Sequence, residues 1–115
     1  ECTRKIYKLL GLPVENIYSD FSSYDLIDTT KNEEILKELK DMNFDTIIGN
    51  PPYQVIATGD ANGSDPIYHL FIDVGKQFCS RETLIHPARF LFNAGKTPKD
   101  WNQKVLNDDH FKVVG

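Results

Sequence analysis

The chain has 115 residues, and 17 Asp and Glu against 13 Lys and Arg give a formal net charge of -4. That length suits one hydrophobic core and is too short for two domains. Apolar residues make up 40% and charged residues 26%, which excludes wholesale disorder, and no apolar run approaches the roughly 20 residues that a membrane helix needs.

The chain begins at Glu1 and stops at Gly115, just after the apolar run Phe111 to Val114. Both ends read as cut, so a piece of a larger protein is expected. Cys2 and Cys79 are the only cysteines and show no CxxC spacing. Reduced thiols and a cytoplasmic location are therefore expected, with Cys79 a core residue at the end of a helix. The acidic balance does not suggest a general nucleic-acid binder, which usually carries a basic face. It does not exclude one, because that charge can lie elsewhere in a longer chain.

In chain order, Thr3 to Leu10 places Ile6, Leu9 and Leu10 on one helical face and stops at Gly11 and Pro13. Asn16 to Tyr18 reads as a short strand running into Ser19-Asp20-Phe21. Thr30 followed by Glu33 is a capping-box pattern, and Ile35, Leu36, Leu39 and Met42 form the stripe of a helix that Asn43 can end. Phe44 to Ile48 is an apolar run rich in β-branched residues and suits a buried strand.

The polar stretch Ala57 to Ser64 reads as a loop, followed by Asp65-Pro66 as N-cap and first-turn proline. Ile67, Phe71, Val74 and Phe78 then recur at spacings of four, three and four, the apolar face of a helix. Thr83 to His86 reads as a strand halted by Pro87. Thr97-Pro98 starts a helix carrying Trp101, Val105 and Leu106, and Phe111 to Val114 is a final strand.

Helix and strand patterns repeated four times predict an α/β layer structure with a mostly parallel sheet and helices on both faces. Ligands of such sheets sit at the carboxyl ends of the strands. Those ends carry Asp20-Phe21, Gly49-Asn50-Pro51-Pro52-Tyr53 and His86-Pro87, which places the three segments on one rim.

Asn50-Pro51-Pro52-Tyr53 is the most specific signal. Consecutive prolines fix two φ angles and remove two N–H donors, so the backbone leaves the sheet along a rigid, extended path. The carbonyls before and between the prolines gain no ladder partners and can act as acceptors. Asn50 adds a side-chain carbonyl, and Tyr53 a flat face. Fixed acceptors beside an aromatic plate would grip a planar group bearing an exocyclic amine.

The segment resembles motif IV of the S-adenosylmethionine-dependent amino-methyltransferases, whose NPPY form is typical of adenine-N6 methylation. Ser19-Asp20-Phe21 looks like the acidic "DF" motif that lies against the cofactor's adenine in that family. The helix from Tyr68 through Ile72 and the stretch Leu84 to Leu91 look like the helix after motif IV and the next strand with its proline-containing exit. The closest likeness is to the methylases of restriction–modification systems.

That resemblance implies a partial Rossmann-like methyltransferase domain over residues 1–115, with S-adenosylmethionine as cofactor and double-stranded DNA as partner. A fused or separate nuclease and a target-recognition domain belong to the same picture. It implies that Asn50 and the Pro51 carbonyl accept hydrogen bonds from the target amine, that Pro52 helps hold this path, and that Tyr53 stacks on the base. Asp20 and Phe21 would contact the cofactor. A base within a duplex cannot reach such a pocket, so it must be flipped out. Methyl transfer would be direct, with no covalent enzyme intermediate and no metal.

Departures from the family are also visible. No two of the glycines at 11, 49, 59, 63, 75, 95 and 115 fall two apart, so the glycine-rich cofactor loop and the first strand are missing. Weak or undetectable binding of S-adenosylmethionine by this chain alone is expected, and the isolated chain is expected to be inactive. Methyltransferases acting on protein glutamine or RNA share the NPPY motif, which leaves those substrates open, as it does a catalytically inert DNA-binding module.

Other features have plainer readings. Asp45 reads as a solvent-facing carboxylate. Asp60 to Asp65 alternates oxygens as a calcium loop does, but Asp65 stands where that loop needs Gly and Phe71 where it needs Glu. His69, His86 and His110 with Cys79 show no zinc-ligand spacing. Arg89, Lys96, Lys99 and Lys104 read as scattered solvated charges.

Overall fold

The computed structural model describes residues 1–55 and 65–113. The loop read over Ala57–Ser64, most of the calcium-like stretch, and Val114 lie outside the described residues.

Four helices follow the apolar periodicities. α1 (Cys2–Leu9) ends before Gly11, whose φ of +67° is a left-handed conformation that glycine adopts without a Cβ clash. Its predicted apolar face stays uncovered among the described residues, with Leu9 85% exposed. α2 (Asn32–Asp41) buries Leu36 and ends at Asn43, whose N–H bonds to the Lys40 carbonyl at φ +54°. α3 spans Tyr68–Gly75, and α4 spans Lys99–Leu106 after Pro98.

Two helix starts differ from the predicted ones. Thr30 does not cap α2: its N–H and hydroxyl both donate to Asp28 Oδ1, at 3.0 and 2.6 Å, and Lys31 takes the N-cap position. Asp65 and Pro66 do not open α3 either. Pro66 pairs with Gln54 in an isolated antiparallel bridge, and the Asp65 carbonyl accepts the Val55 N–H, so the helix begins later. A capping box does occur, at the 3-10 turn Ser23–Leu26, where Ser22 and Asp25 exchange bonds.

The sheet is much smaller than the periodicity predicts. β1 (Ile47–Gly49) and β2 (Glu82–Leu84) pair in parallel, with Ile47 opposite Glu82 and Gly49 opposite Leu84. α3 lies between them in the chain, as a parallel connection requires. The predicted strand at Asn16–Tyr18 is instead a 3-10 turn (Val14–Asn16) followed by extended backbone. There the Ile17 carbonyl accepts from Arg4 Nη2 rather than from a neighbouring strand. Phe111–Val113 forms no strand, since the Phe111 ring packs inward on Phe90 and His86. Asp45 precedes β1 and is exposed. Cys79 lies beyond α3 and is half-buried, its Sγ within reach of the Phe44 and Arg81 carbonyls.

The core sits between α3, α4 and the 3-10 turn Arg89–Phe92. Tyr68, Ile72, Phe90, Trp101 and Val105 form it, and Tyr53, Leu84, Leu91 and Phe111 pack against it. Phe90 is wholly buried and meets Trp101 and Phe111 edge-on at 5.4 and 5.8 Å. Full burial of such side chains stabilises by ~1.5–3 kcal/mol each. Trp101 Nε1 donates to Asp73 Oδ2 at 3.1 Å, which satisfies its only donor. Through Tyr53, the chain leaving β1 packs against this core.

Candidate active site

Gly49 closes β1, and its carbonyl accepts the Ile85 N–H at 3.0 Å, one rung beyond the last sheet pair. Asn50 and the Ile85–His86 segment therefore leave the sheet at the same carboxyl end, as the rim argument predicts for these two segments. A Cβ on Gly49 would lie 3.4 Å from Leu84 Cδ2, so the strands approach closely here.

Beyond Gly49 the chain is held at two further points. The Tyr53 carbonyl accepts the Ile67 N–H at 3.0 Å, which anchors the loop to the start of α3. The Tyr53 hydroxyl donates to Asn50 Oδ1 at 2.7 Å. A carbonyl oxygen has two lone pairs, so Asn50 keeps one for a further donor. Pro51, Pro52 and Tyr53 are half-buried and Asn50 is exposed.

A cleft of about 720 Å³ opens beside this loop, within the range of small-molecule sites. Ile47, Ile48, Leu26 and the α3 side chains Phe71 and Val74 make its walls apolar. Asn50 to Tyr53 border it, while Ser23 and Glu82 add polar side chains. Asp20 and Phe21 do not line it: Asp20 is exposed and Phe21 half-buried, immediately before the Ser22-capped turn that puts Ser23 and Leu26 on the wall.

Glu82 is the residue that sequence reasoning missed. Burial holds its carboxyl neutral to about pH 7, with Lys76 opposing and Asp73 reinforcing the shift. Its carboxylate occupies the space over Gly75 where a side chain would otherwise stand. A glycine in α3 opposite a strand glutamate was the only available sign. Lys76 is engaged elsewhere, donating to Asp108 Oδ2 at 2.8 Å. This bond, helped by the His110 N–H, holds Asp108 down to about 2. His69, buried at the core edge beside Trp101, is pushed by desolvation towards its neutral form.

No helix among the described residues is long and apolar enough to cross a membrane. No curated protein and no solved structure matches the chain. A family profile described as Eco57I restriction-modification methylase matches residues 7–114, and that span holds the β1–α3–β2 unit, the cleft and all of Asn50 to Tyr53. With nearly its whole length matched, the chain belongs to the Eco57I restriction-modification methylase family.

Proposed function

We propose that the chain forms the NPPY-bearing part of a Rossmann-like DNA methyltransferase that methylates N6 of an adenine flipped out of the duplex. The observation that carries this reading is the Tyr53 hydroxyl held on Asn50 Oδ1 at the carboxyl end of a parallel strand, beside the cleft. Membership of a restriction-modification methylase family favours DNA over protein glutamine or RNA.

In this reading Asn50 Oδ1 and the Pro51 carbonyl accept the two N–H bonds of the adenine amine. Two acceptors in fixed positions localise electron density on the nitrogen and leave its lone pair free to attack. Pro51 and Pro52 keep the acceptors from collapsing into backbone pairing. Tyr53 offers a ring on which the flipped base stacks, which offsets part of the few kcal/mol that unstacking costs.

S-adenosylmethionine, when bound, supplies an electrophilic methyl group on a sulfonium. The apolar cleft wall at Leu26, Ile47 and Ile48, with the Ser23 hydroxyl, has chemistry that fits its apolar parts. Asp20 and Phe21, just before that wall, are the proposed contacts to its adenine.

In the full-length protein, labelled S-adenosylmethionine with unmethylated adenine-containing duplex tests the reading, alongside structured RNA and a glutamine-bearing peptide. Label should enter duplex DNA as N6-methyladenine. Asn50→Ala should abolish transfer while calorimetry shows cofactor binding unchanged. Label in peptide or RNA only, or turnover by Asn50→Ala, overturns the assignment.

A further inference from the structure

We propose that His86 is a positioning residue for the Asn50–Tyr53 loop, acting through its ring stack on Tyr68. The proposal rests on the methyltransferase reading above and adds a residue to it.

The rings of Tyr68 and His86 lie almost parallel, with an interplanar angle of 4° and centroids 5.5 Å apart, an offset stack. Their places in the chain give that contact its effect. Tyr68 opens α3 and follows Ile67, whose N–H holds the Tyr53 carbonyl. His86 follows Ile85, whose N–H holds the Gly49 carbonyl. The Tyr53 hydroxyl returns to Asn50, the neighbour of Gly49.

These links form a closed circuit: Asn50, Tyr53, Ile67, Tyr68, His86, Ile85, Gly49 and back to Asn50. Three of its non-covalent links are hydrogen bonds, and the stack is the fourth. Without the stack, α3's first turn and the β2 exit could shift independently, and the two ends of the NPPY loop would shift with them. Phe90 and Phe111 support His86 from other sides, at centroid distances of 5.6 and 6.3 Å, so a flat ring suits this position. His86 is only half-buried, unlike Tyr68, so it can be changed with less risk to the core.

The experiment compares His86→Leu, which keeps apolar bulk without a flat ring, with His86→Phe, which keeps the ring. Amide hydrogen exchange by NMR is read at Ile67 and Ile85, with Val105 in α4 as the internal control. In His86→Leu, exchange at Ile67 and Ile85 should quicken about tenfold while Val105 is unchanged, and His86→Phe should restore wild-type exchange. In the full-length protein under saturating S-adenosylmethionine and duplex DNA, kcat of His86→Leu should fall about tenfold, with KM for the cofactor within about twofold and recovery in His86→Phe.

Unchanged exchange at Ile67 and Ile85, equal acceleration at Val105, or failure of Phe to rescue each overturns the positioning role. Wild-type kcat in His86→Leu overturns it as well. Full-length wild-type protein that labels no DNA, while the His86 variants show the predicted exchange pattern, overturns the substrate reading and leaves the circuit standing.

Discussion

The hydroxyl of Tyr53 donates a 2.7 Å hydrogen bond to Oδ1 of Asn50, three residues earlier. Two prolines between them hold the chain so that side chains at either end of the motif meet. An amide that would otherwise rotate freely is thereby oriented, and one lone pair of its oxygen stays available.

Tyr53→Phe keeps the ring and removes this bond. A lost neutral hydrogen bond is worth ~0.5–1.5 kcal/mol, so kcat for methyl transfer should fall by about twofold to twelvefold. Tyr53→Ala also removes the stacking face, worth ~1–3 kcal/mol per base, and should weaken DNA binding as well. Steady-state kinetics of both variants separate the two roles. Equal rates for Tyr53→Phe and wild type would show that the bond does not organise Asn50.

Glu82 makes stability depend on pH. Its folded-state value, raised by burial to about 7, lies above the ordinary 4.5, so the folded state holds this proton longer than the unfolded one. Its contribution is fully present below pH ~4.5 and is lost as pH rises towards about 7. Glu82→Gln should remove that loss, so its urea midpoint should exceed wild type at pH 8 and approach it at pH 4. Gly75→Ala should act similarly, because the new methyl group displaces the Glu82 carboxylate outward. Identical midpoint-against-pH curves for all three proteins would refute the assignment.

Helices were legible because each carries its signal locally: Ile67, Phe71 and Val74 announce α3, and Asn43 announces the end of α2. Strands carry only half of theirs, since a strand exists where a partner stands beside it. The apolar run from Phe44 pairs only at Ile47–Gly49, and Phe111, equally apolar, packs its ring into the core instead. Helix starts misled for a related reason, as Asp28 took the N–H and hydroxyl of Thr30, and the Asp65 carbonyl and Ile67 N–H went to Val55 and Tyr53. Two of the three rim segments were legible because parallel strands share an end, which sends Asn50 and His86 off the same edge. Asp20-Phe21, by contrast, follows no strand among the described residues. Glu82 was not, because its burial comes from a glycine seven residues before it on another element.

Lys76 lies between two carboxylates and should reveal itself in both titrations. It lowers Asp108 chiefly by hydrogen bonding and partly offsets the upward shift of Glu82 by charge alone. Lys76→Ala should therefore raise Asp108 from about 2 towards its ordinary 3.8 and move Glu82 further up. Carboxyl-carbon NMR titration reads both sites in one experiment. Movement of Asp108 alone would mean that Glu82 is governed by burial without a contribution from Lys76.

Asn43 turns the chain from α2 into the segment leading to β1, and it does so at φ +54°. For a residue with a Cβ, that left-handed conformation costs ~1–2 kcal/mol, and Asn bears it better than most because its short amide can bond locally. Glycine has no such penalty in the folded state but gains freedom in the unfolded one. Asn43→Ala should therefore lower unfolding free energy by ~1 kcal/mol, while Asn43→Gly should stay within ~0.5 kcal/mol of wild type. Urea denaturation with unchanged m-values measures both. The turn sits seven residues before Asn50, so Asn43→Ala should lower stability without changing kcat in the folded protein. A variant equal to Asn43→Gly in stability would mean that α2 can end here without the left-handed turn.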